Sequence, residues 1–471
     1  MAVYPESLTQ TDLRPVATLV GDLHVLDEIR SHLQTAFHER RLDFVLVEFS
    51  HLFDSKRDGK SFEKYTSEGI LKLSWTTKRK DLSPAVLGLF FNWGIGLVQA
   101  PPADGADWKG KEAVVIREVR KFREQTRGRT LRFCVVIILP QGEVADPGIE
   151  ERAGVLRKAC DLDAKSLFFI SGDFLSMVFQ FQRIEKCLFE SVTNHYKEEI
   201  ERLKKLKTRA QREAPGYLEL QVRYNFKLGY YSELRVDRES ALAYYKRAYQ
   251  NLQEMTWKSF TEFEEIRTVS DWTILRLYHV FLSVPYTDER ISEAITYFQK
   301  HFKKYREVKE IHEPLLEFTR WKWAAEQMGH FGKMLEQVPS ELYKIENLWS
   351  LPGFFFYNAA LFEKERRKAT ENEDFRSNLG NWMSFMEGNQ LRMKDSLYVG
   401  QGRTIASHPL QMSITEGLSE RTQLLMTKCL EESGNNYDQN IEFYLNSAWK
   451  FYKSQKSLGR TLASVSTLLS G

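Results

Sequence analysis

The chain has 471 residues, 42% of them hydrophobic and 28% charged, so it is long enough for two or three folded cores. Its formal net charge of +3 is too small to indicate nucleic acid or another anionic partner by itself. The cysteines, Cys134, Cys160, Cys187 and Cys429, lie far apart in the sequence and indicate neither a zinc site nor a disulfide framework.

The amino terminus shows no targeting signal that we can identify. The amino terminus lacks a basic stretch followed by an apolar one, and no run reaches the roughly 20 apolar residues that span a bilayer. We therefore expect a cytoplasmic protein. The chain ends in the Ser- and Leu-rich segment TLASVSTLLSG without a clear cap, which favours a piece of a longer protein.

Short apolar segments alternate with amphipathic ones between Pro15 and Ile170. The apolar segments are rich in β-branched and aromatic residues and are predicted to be strands: VATLV, FVLVEF, AVLGLFF, FCVVIIL and SLFFI. The intervening stretches 27–41, 111–125 and 149–160 have the 3.6-residue period of helices. This pattern predicts an α/β domain over residues 1–172, with a mainly parallel sheet covered on both faces in three layers.

The α/β pattern directs attention to the carboxyl ends of its strands, where such domains bind ligands. The first strand is followed by Gly21-Asp22-Leu23-His24, which is not a Gly-rich phosphate loop, and Gly94-Ile95-Gly96 leads into a loop. Asp22 is interpreted as a helix cap and Cys160 as a buried hydrophobic residue. The histidines are scattered singly, so we predict no catalytic, cofactor-binding or metal-binding residues.

Residues 173–214 are predicted to form one long connecting helix, because they contain no Pro and keep an apolar stripe up to the stop signal Ala214-Pro215-Gly216. Its carboxyl-terminal end carries six cations: Arg202, Lys204, Lys205, Lys207, Arg209 and Arg212. One interpretation is a solvated helix end with cations at the favourable pole of the dipole. The other is contact with anionic lipid or an acidic partner. Aromatic residues are not interleaved with the cations, so nucleic acid is not expected.

Residues 215–471 are predicted to form an α-solenoid of tetratricopeptide-like helical pairs. The first pair, residues 224–252, has small and aromatic residues spaced for close helix packing: Leu228, Gly229, Ala241, Tyr245 and Ala248. Asp237 is placed to cap its second helix. Ala294 and Phe298 repeat the spacing in a second pair. Solenoid surfaces usually bind other proteins.

The remaining helices are predicted at residues 315–335, 354–370, 412–433 and 440–455. The aromatic run from Phe354 to Tyr357 is interpreted as core. Residues 371–410 have weak periodicity and several glycines, which predicts a long loop with short helices.

Several segments, in the same order along the chain, resemble the amino-terminal portion of the foie gras domain family, to which subunit 11 of the trafficking protein particle (TRAPP) complexes belongs. The residues that carry the resemblance are Gly69-Ile70-Leu71-Lys72, Trp75, Leu82, Pro84 and Ala85; Lys158-Ala159-Cys160 and Lys165-Ser166-Leu167-Phe168; Phe226-Lys227, Ser232-Glu233-Leu234, Ala241-Leu242, Tyr245 and Ala248-Tyr249; Phe298 and Lys300-His301; and Pro352-Gly353-Phe354 with Glu365-Arg366. The resemblance places the foie gras domain at about residues 255–471. The family continues into a β-rich carboxyl-terminal region that this sequence lacks.

The resemblance implies a non-enzymatic scaffold without a cofactor, in an assembly that tethers vesicles and promotes nucleotide exchange on a Rab GTPase. It implies a role in ER-to-Golgi transport and autophagy, with the other TRAPP subunits as partners and the Rab GTPase as an indirect one. The expected location is cytoplasmic, peripheral to Golgi and ER-Golgi intermediate membranes, with contact to the Golgi or vesicle membrane and with neither nucleic acid nor a small-molecule substrate. The alternative left open by the residues themselves is a small-molecule or nucleotide-binding α/β module joined to a protein-binding solenoid.

Overall fold

A computed structural model describes residues 6–9, 13–35, 42–53, 68–75, 84–93, 108–129, 131–140, 148–171, 177–213, 217–306, 314–343, 347–388, 393–405, 420–432, 436–454 and 465. All structural statements below refer to these residues. The segments Gly94-Ile95-Gly96 and Ala214-Pro215-Gly216, and the residues His312 and His408, lie outside them.

A five-stranded parallel sheet forms the centre of the amino-terminal part. Its strands are β1 (Val16–Val20), β2 (Asp43–Val47), β3 (Val86–Asn92), β4 (Arg132–Leu139) and β5 (Leu167–Ser171). Their order in the sheet is β2-β1-β3-β4-β5, and every neighbouring pair is parallel. The apolar, β-branched runs of the sequence supply these strands because each is flanked by others and covered by helices.

Helices cover both faces of the sheet. The helices of this part are α1 (Glu6–Thr9), α2 (Leu23–Thr35), α3 (Trp108–Gln125), α4 (Ile149–Cys160) and α5 (Val178–Glu213). Alternate residues of β4 point to opposite faces, so Val136 packs in the core that holds α2 and α5, and Val135 packs in the core that holds α3 and α4. The three-layer α/β arrangement predicted from the sequence is confirmed.

The rest of the described chain is mainly helical. It comprises α6 (Leu218–Leu234), α7 (Arg238–Glu254), α8 (Phe260–Phe281), α9 (Asp288–Arg306), α10 (Pro314–Leu335), α11 (Pro352–Glu371), α12 (Glu373–Gly388), α13 (Glu420–Glu432) and α14 (Tyr437–Ser454). Helices that follow one another pack together, most extensively α6 with α7 and α10 with α11. The predicted helical solenoid after the α/β domain is therefore confirmed.

Residues 371–410 differ from the prediction of a long loop. They contain the 16-residue helix α12 and an antiparallel hairpin of β6 (Met393–Asp395) and β7 (Arg403–Ile405). The periodicity of α12 is weak because it buries only a narrow stripe, Phe375, Leu379 and Trp382. The prediction failed because so narrow a stripe gives little sequence signal.

One apolar core runs from the sheet into the helical part. It begins with residues such as Leu19 in β1, continues through Leu188 in α5 and Phe226 in α6, and reaches Phe298 in α9 and Phe355 in α11. Of the predicted aromatic run, Phe355 and Phe356 are buried, while Phe354 and Tyr357 are half-buried. The continuous core fixes the position of the α/β part relative to the first helical pairs.

Candidate functional site

The first helical pair packs as tightly as its small residues allow. Leu228, Gly229, Ala241, Tyr245 and Ala248 are all buried where α6 meets α7. A Cβ atom on Gly229 would lie 2.7 Å from both Cδ1 and Cε1 of the Tyr245 ring. Glycine is therefore needed for the close approach of the two helices, and any side chain there would displace a ring that is fully buried.

The turn between α6 and α7 is fixed by two local devices. The Asp237 carboxylate accepts a hydrogen bond from the Ser240 backbone N–H at 3.2 Å, which confirms the predicted cap. The backbone N–H groups of Val236 and Asp237 return to the carbonyl oxygens of Glu233 and Ser232, at 2.8 and 2.9 Å. This is the Schellman pattern, in which Val236 adopts a φ of 62°, a conformation that favours glycine.

A buried ion pair ties this helical pair to α8 and to the amino terminus. The guanidinium of Arg276, with no exposed surface, contacts the Glu233 carboxylate and donates to the Leu8 carbonyl oxygen at 2.9 Å. The Tyr245 hydroxyl donates to the same carboxylate at 2.9 Å, and burial raises the pKa of Tyr245 well above its ordinary value. The network joins four segments, α1, α6, α7 and α8, at one point.

Most of the cations predicted to form the basic end of α5 have partners in the chain. Arg202, Lys204 and Arg209 pair with Glu199, Glu201 and Glu213 of the same helix, at 2.7 to 2.8 Å. The ammonium of Lys207 donates to the Asn225 side chain of α6 at 2.6 Å.

Desolvation lowers the pKa of Lys207, which lies in part beneath α6. Lys205 and Arg212 are exposed and form no ion pair within the described part of the chain. Because they are seven residues apart, they lie on one side of the helix, two turns from each other. The available positive charge is therefore smaller than the sequence count indicates.

At the carboxyl edge of the sheet, Asp22 caps α2 in the turn that follows β1. The Asp22 carboxylate accepts hydrogen bonds from the backbone N–H groups of His24 and Val25, at 3.0 and 3.3 Å. His24 itself is exposed. The interpretation of Asp22 as a helix cap is confirmed, and its carboxylate occupies the donors that a bound phosphate would otherwise need.

Two cysteines that are far apart in the sequence are neighbours in the fold. The Cys134 thiol of β4 forms a hydrogen bond with the Cys187 thiol of α5, and this bond, together with burial, raises the pKa of Cys134. Cys160 is buried in the opposite core, which confirms its interpretation as a small hydrophobic residue. Spacing along the chain gave no signal for the Cys134 and Cys187 contact, because the two residues belong to different layers.

A chain of hydrogen-bonded polar side chains lies inside the solenoid. The His301 ring accepts or donates at both nitrogens, to the Tyr249 hydroxyl at 3.2 Å and to the Asp271 carboxylate at 2.8 Å. Asp271 also accepts from the Trp323 indole N–H at 3.0 Å. His301 has no exposed surface and Asp271 has 5%, so the group joins α7, α8, α9 and α10 as a hydrogen-bonded core.

The candidate functional site is the junction of the two parts of the chain. We call residues 68–75 the strap and residues 393–405 the hairpin. The strap pairs with the hairpin: Leu73 donates from its backbone N–H to the Leu397 carbonyl oxygen at 3.0 Å, and Val399 donates to that of Leu71 at 2.9 Å. Lys72 and Tyr398 form an antiparallel bridge between them. The two segments thus form a small sheet over the solenoid.

Side chains of α6 and α8 hold the strap by its backbone. Arg223 donates from Nε to the Ile70 carbonyl oxygen at 2.7 Å and from Nη2 to that of Gly69 at 2.5 Å. The Glu265 carboxylate accepts from the Ile70 backbone N–H and, at 2.9 Å, from the Gln401 side chain. Burial raises the pKa of Glu265. These contacts recognise peptide groups and not particular side chains of the strap.

Two glycines permit the close approach at the junction. A Cβ atom on Gly69 would overlap the Tyr398 ring. Gly400 has a φ of +83°, and a Cβ atom there would lie 2.7 Å from the Glu264 carbonyl oxygen of α8. The hairpin therefore rests directly on the α8 backbone.

Trp75 anchors the carboxyl-terminal end of the strap. Its indole packs edge-on against Phe226 and against the rings of Tyr230 and Tyr231, with centroids 5.2 to 6.1 Å apart, and Lys227 lies over its face at 5.1 Å. The outer surface of the junction is different, because Leu73 and Leu397 are 44% and 67% exposed. Trp75 therefore packs inward against α6, while the apolar side chains of Leu73 and Leu397 lie on the outer surface of the junction.

Two other kinds of feature, a metal-binding cluster and a membrane-spanning helix, are not found in the residues that the structure describes. These residues contain no group of three His, Cys, Asp or Glu side chains that could hold a metal ion. Among them there is also no helix both long and apolar enough to cross a membrane.

Two regions of the chain match known family models. Residues 64–176 match the trafficking protein particle complex subunit 11 N-terminal domain, and residues 262–453 match foie gras liver health family 1. The strap lies in the first region, and α8 and the hairpin lie in the second, so the two matched regions meet at the junction. The chain is thus similar to trafficking protein particle complex subunit 11 in its first matched region and to the foie gras family in its second.

Individual relatives show the same similarity. The subunit 11 proteins of Gallus gallus, Bos taurus and Homo sapiens are each 29% identical to the chain over 372 residues, which cover 75% of this chain. The same alignment covers 31% of each relative, so the chain spans about a third of the length of the curated relatives it matches. The resemblance inferred from the scattered motifs of the sequence is confirmed.

Proposed function

We propose that the chain is a non-enzymatic scaffold subunit of a TRAPP-type assembly in ER-to-Golgi transport and autophagy. In this role it holds other TRAPP subunits and acts on a Rab GTPase only indirectly, through the nucleotide-exchange subunits that it positions. It works in the cytoplasm, peripheral to Golgi and ER-Golgi intermediate membranes. The proposal needs neither a cofactor nor a small-molecule substrate.

The observation that carries the proposal is the junction between the two family-matched regions. A scaffold has to keep its binding surfaces at fixed separations, and Arg223 and Glu265 fix the strap by hydrogen bonds to backbone groups. The proposed domains follow one another along the chain: an α/β domain at residues 1–172, a connecting helix at 173–214 and a solenoid at 215–471, with the foie gras domain at about 255–471. The polar groups that we find buried at the junction serve this fixation.

The first test is a pull-down of the tagged 471-residue chain from cytosol, with the bound proteins identified by mass spectrometry. Recovery of small TRAPP core subunits and of a Rab GTPase is the expected result. A well-folded chain that recovers none of them contradicts the scaffold proposal for this part of the protein. A saturable thermal shift with a nucleotide or metabolite would instead favour the small-molecule alternative for the α/β domain.

The helical pair gives a specific variant for the same assay. We propose that the packing of Ala241 and Ala248 shapes the solenoid surface that partners bind, so that Ala241→Leu with Ala248→Leu lowers recovery of the partners. Overpacked cores lose about 1 to 3 kcal/mol for such changes. The matched control is the exposed Ala164→Leu, which leaves both core and recovery unchanged. A folded double variant that recovers the partners as well as the unmodified chain does would contradict this proposal.

The basic end of α5 is proposed to contact anionic lipid or an acidic partner through its exposed cations, and no role with nucleic acid is proposed. Charge reversal of Lys205 and Arg212 should reduce binding to vesicles containing phosphatidylserine, and binding should fall steeply with salt. The control is the same reversal at Lys158 and Lys165, which are exposed in the α/β part. Equal vesicle binding of both double variants would leave only the solvated-helix interpretation.

A further inference from the structure

Two of the four cysteines of the chain, Cys134 and Cys187, face each other between β4 and α5. The other two, Cys160 and Cys429, are buried in separate apolar clusters. All four are free thiols. The contact therefore singles out one pair for thiol chemistry.

The packing of α5 on the sheet brings the two thiols together. Alternate residues of β4 face opposite layers, so Cys134 lies with Val136 in the core that α5 shares. The helix α5 buries Ile184 and Leu188 in the same core, and Cys187, which lies between them in the sequence, packs against its border. Two regular elements and not loops thus hold the thiols in place.

The two sulfur atoms differ in their access to solvent. Cys134 has no exposed surface, whereas Cys187 is half-buried. The pair lies toward the amino edge of the sheet, because Cys134 is near the start of β4 and the adjacent Val135 N–H donates to the Ser166 carbonyl oxygen just before β5. A small oxidant can therefore reach Cys187, while Cys134 is shielded from it.

The hydrogen bonds around Cys187 favour its thiolate. The Cys134 thiol donates to the Cys187 sulfur, and this bond lowers the pKa of Cys187 while it raises that of Cys134. The hydroxyl groups of Ser166 and Ser191 also donate to the Cys187 sulfur and lower its pKa further. Burial and the Glu190 carboxylate raise the pKa of Cys187 but are outweighed. Because the thiolate is the nucleophile, Cys187 is the member of the pair that reacts with an oxidant.

We propose that Cys134 and Cys187 form a peroxide-sensitive thiol pair, in which Cys187 is oxidised first and Cys134 then closes a reversible disulfide between β4 and α5. The strand β4 is flanked by β3 and β5, and α5 runs on from the sheet to pack against α6 of the solenoid. The disulfide therefore ties the sheet to the helix that leads into the solenoid. In the cytoplasmic location proposed above, disulfides are usually transient, as expected of a sensor.

The reaction balances with hydrogen peroxide as the oxidant. The Cys187 thiolate attacks one peroxide oxygen, so an S–O bond forms, the O–O bond breaks, and the other oxygen leaves as hydroxide and takes up the proton that Cys187 had released. The Cys134 sulfur then attacks the sulfenic sulfur of Cys187, so the S–S bond forms and the sulfenic hydroxyl leaves as water with the Cys134 proton. Two thiols and one peroxide thus give one disulfide and two waters, and a dithiol reductant reverses the change.

The test treats the folded 471-residue chain with hydrogen peroxide, blocks the remaining thiols with N-ethylmaleimide, and digests the chain with trypsin in the absence of reductant. Trypsin leaves Cys134 in the peptide of residues 133–152 and Cys187 in that of residues 187–197. The expected result in mass spectrometry is these two peptides joined, lighter than their sum by two hydrogen atoms, and separated again by dithiothreitol. Cys160 and Cys429 are internal controls and should remain free thiols, since both are buried.

Three outcomes overturn the proposal. In the first, Cys187 stays a free thiol at a peroxide dose that oxidises added N-acetylcysteine completely. In the second, Cys187 advances to the sulfinic acid without joining Cys134. In the third, Cys187 joins a cysteine of a second copy of the chain. The test does not depend on the scaffold role, because the disulfide is measured on the chain alone.

Dimedone, which traps sulfenic acids, reports the order of the two steps. Added together with peroxide to the unmodified chain, it should label Cys187 and reduce the amount of joined peptide. Cys134→Ala should lose the joined peptide and carry the label at Cys187, whereas Cys187→Ser should show neither, because Cys134 is shielded. Label at Cys134, or none at Cys187 in the unmodified chain, contradicts the proposed order, and the unmodified chain gives this answer even if a variant fails to fold.

Discussion

The buried ion pair of Glu233 and Arg276 allows a prediction whose size follows from its surroundings. Arg276 has no exposed surface, and Glu233 has a side chain that is 10% exposed. Replacing Glu233 by Ala removes the carboxylate that pairs with this buried guanidinium, which also donates to the Leu8 carbonyl oxygen. Loss of one partner of a buried pair costs about 3 to 5 kcal/mol. That is a large fraction of the roughly 5 to 15 kcal/mol by which domains are stable.

Replacement of both partners should behave differently from replacement of one. Apolar residues of similar volume, Glu233→Leu with Arg276→Met, remove the uncompensated charge, and such exchanges are often neutral or stabilising. Tyr245→Phe is included because the tyrosine hydroxyl would lose its acceptor. We expect the triple variant to be more stable than Glu233→Ala by about 2 kcal/mol or more.

Urea denaturation followed by circular dichroism measures these free energies of unfolding. The matched control is Glu150→Ala, which removes the exposed 2.9 Å pair with Arg157 and should cost less than about 1 kcal/mol. The reasoning is refuted if Glu233→Ala costs no more than this control. It is also refuted if the triple variant is no more stable than the single one, since burial of the charge would then not be the cause.

Three further predictions concern single residues. Val236→Gly should raise the free energy of unfolding by about 1 kcal/mol, because it relieves a β-branched residue at a φ of 62°; an unchanged urea midpoint would contradict this. Gly229→Val should destabilise the chain by about 1 to 3 kcal/mol through overlap with the Tyr245 ring, whereas Gly110→Val, with open space around it, serves as the control in thermal unfolding. Glu265 has a folded pKa above its unfolded one, so its contribution to stability is fully present below the unfolded pKa and is lost as pH rises through the folded pKa. The difference in stability between the unmodified chain and Glu265→Gln should therefore fall over that pH window, and a difference that is flat with pH would exclude the carboxyl as its source.

Local patterns in the sequence were sufficient for the fold class and for some individual roles. Apolar runs such as FCVVIIL become strands because a buried parallel strand is apolar on both faces, and this property is visible in a few consecutive residues. Asp22 and Asp237 could be recognised as caps because a cap depends on residues within one helical turn. The ordered motifs from Gly69 to Arg366 were sufficient to recognise the resemblance to the foie gras domain family.

The junction could not be derived from the sequence. The strap and the hairpin are more than 300 residues apart in the chain, as the Tyr398 contact with Glu68 illustrates. Arg223 and Glu265 hold the strap through its backbone. The side chains of the strap therefore give little indication of these contacts. The same holds for the contact of Cys134 with Cys187, which joins a strand to a helix of another layer.

Apart from α12 and the hairpin, the sequence by itself determined where most of the described helices and strands lie, because periodicity, capping and β-branched composition act within a few residues. The sequence also shows the six cations at the end of α5. Only the fold decided that Arg202, Lys204 and Arg209 form ion pairs, whereas the exposed Lys205 and Arg212 form none within the described residues. Likewise, only the order of strands made β2 an edge of the sheet. Pairing and exposure depend on which distant elements become neighbours, and the free energy that selects those neighbours comes from the shared core and not from any local segment.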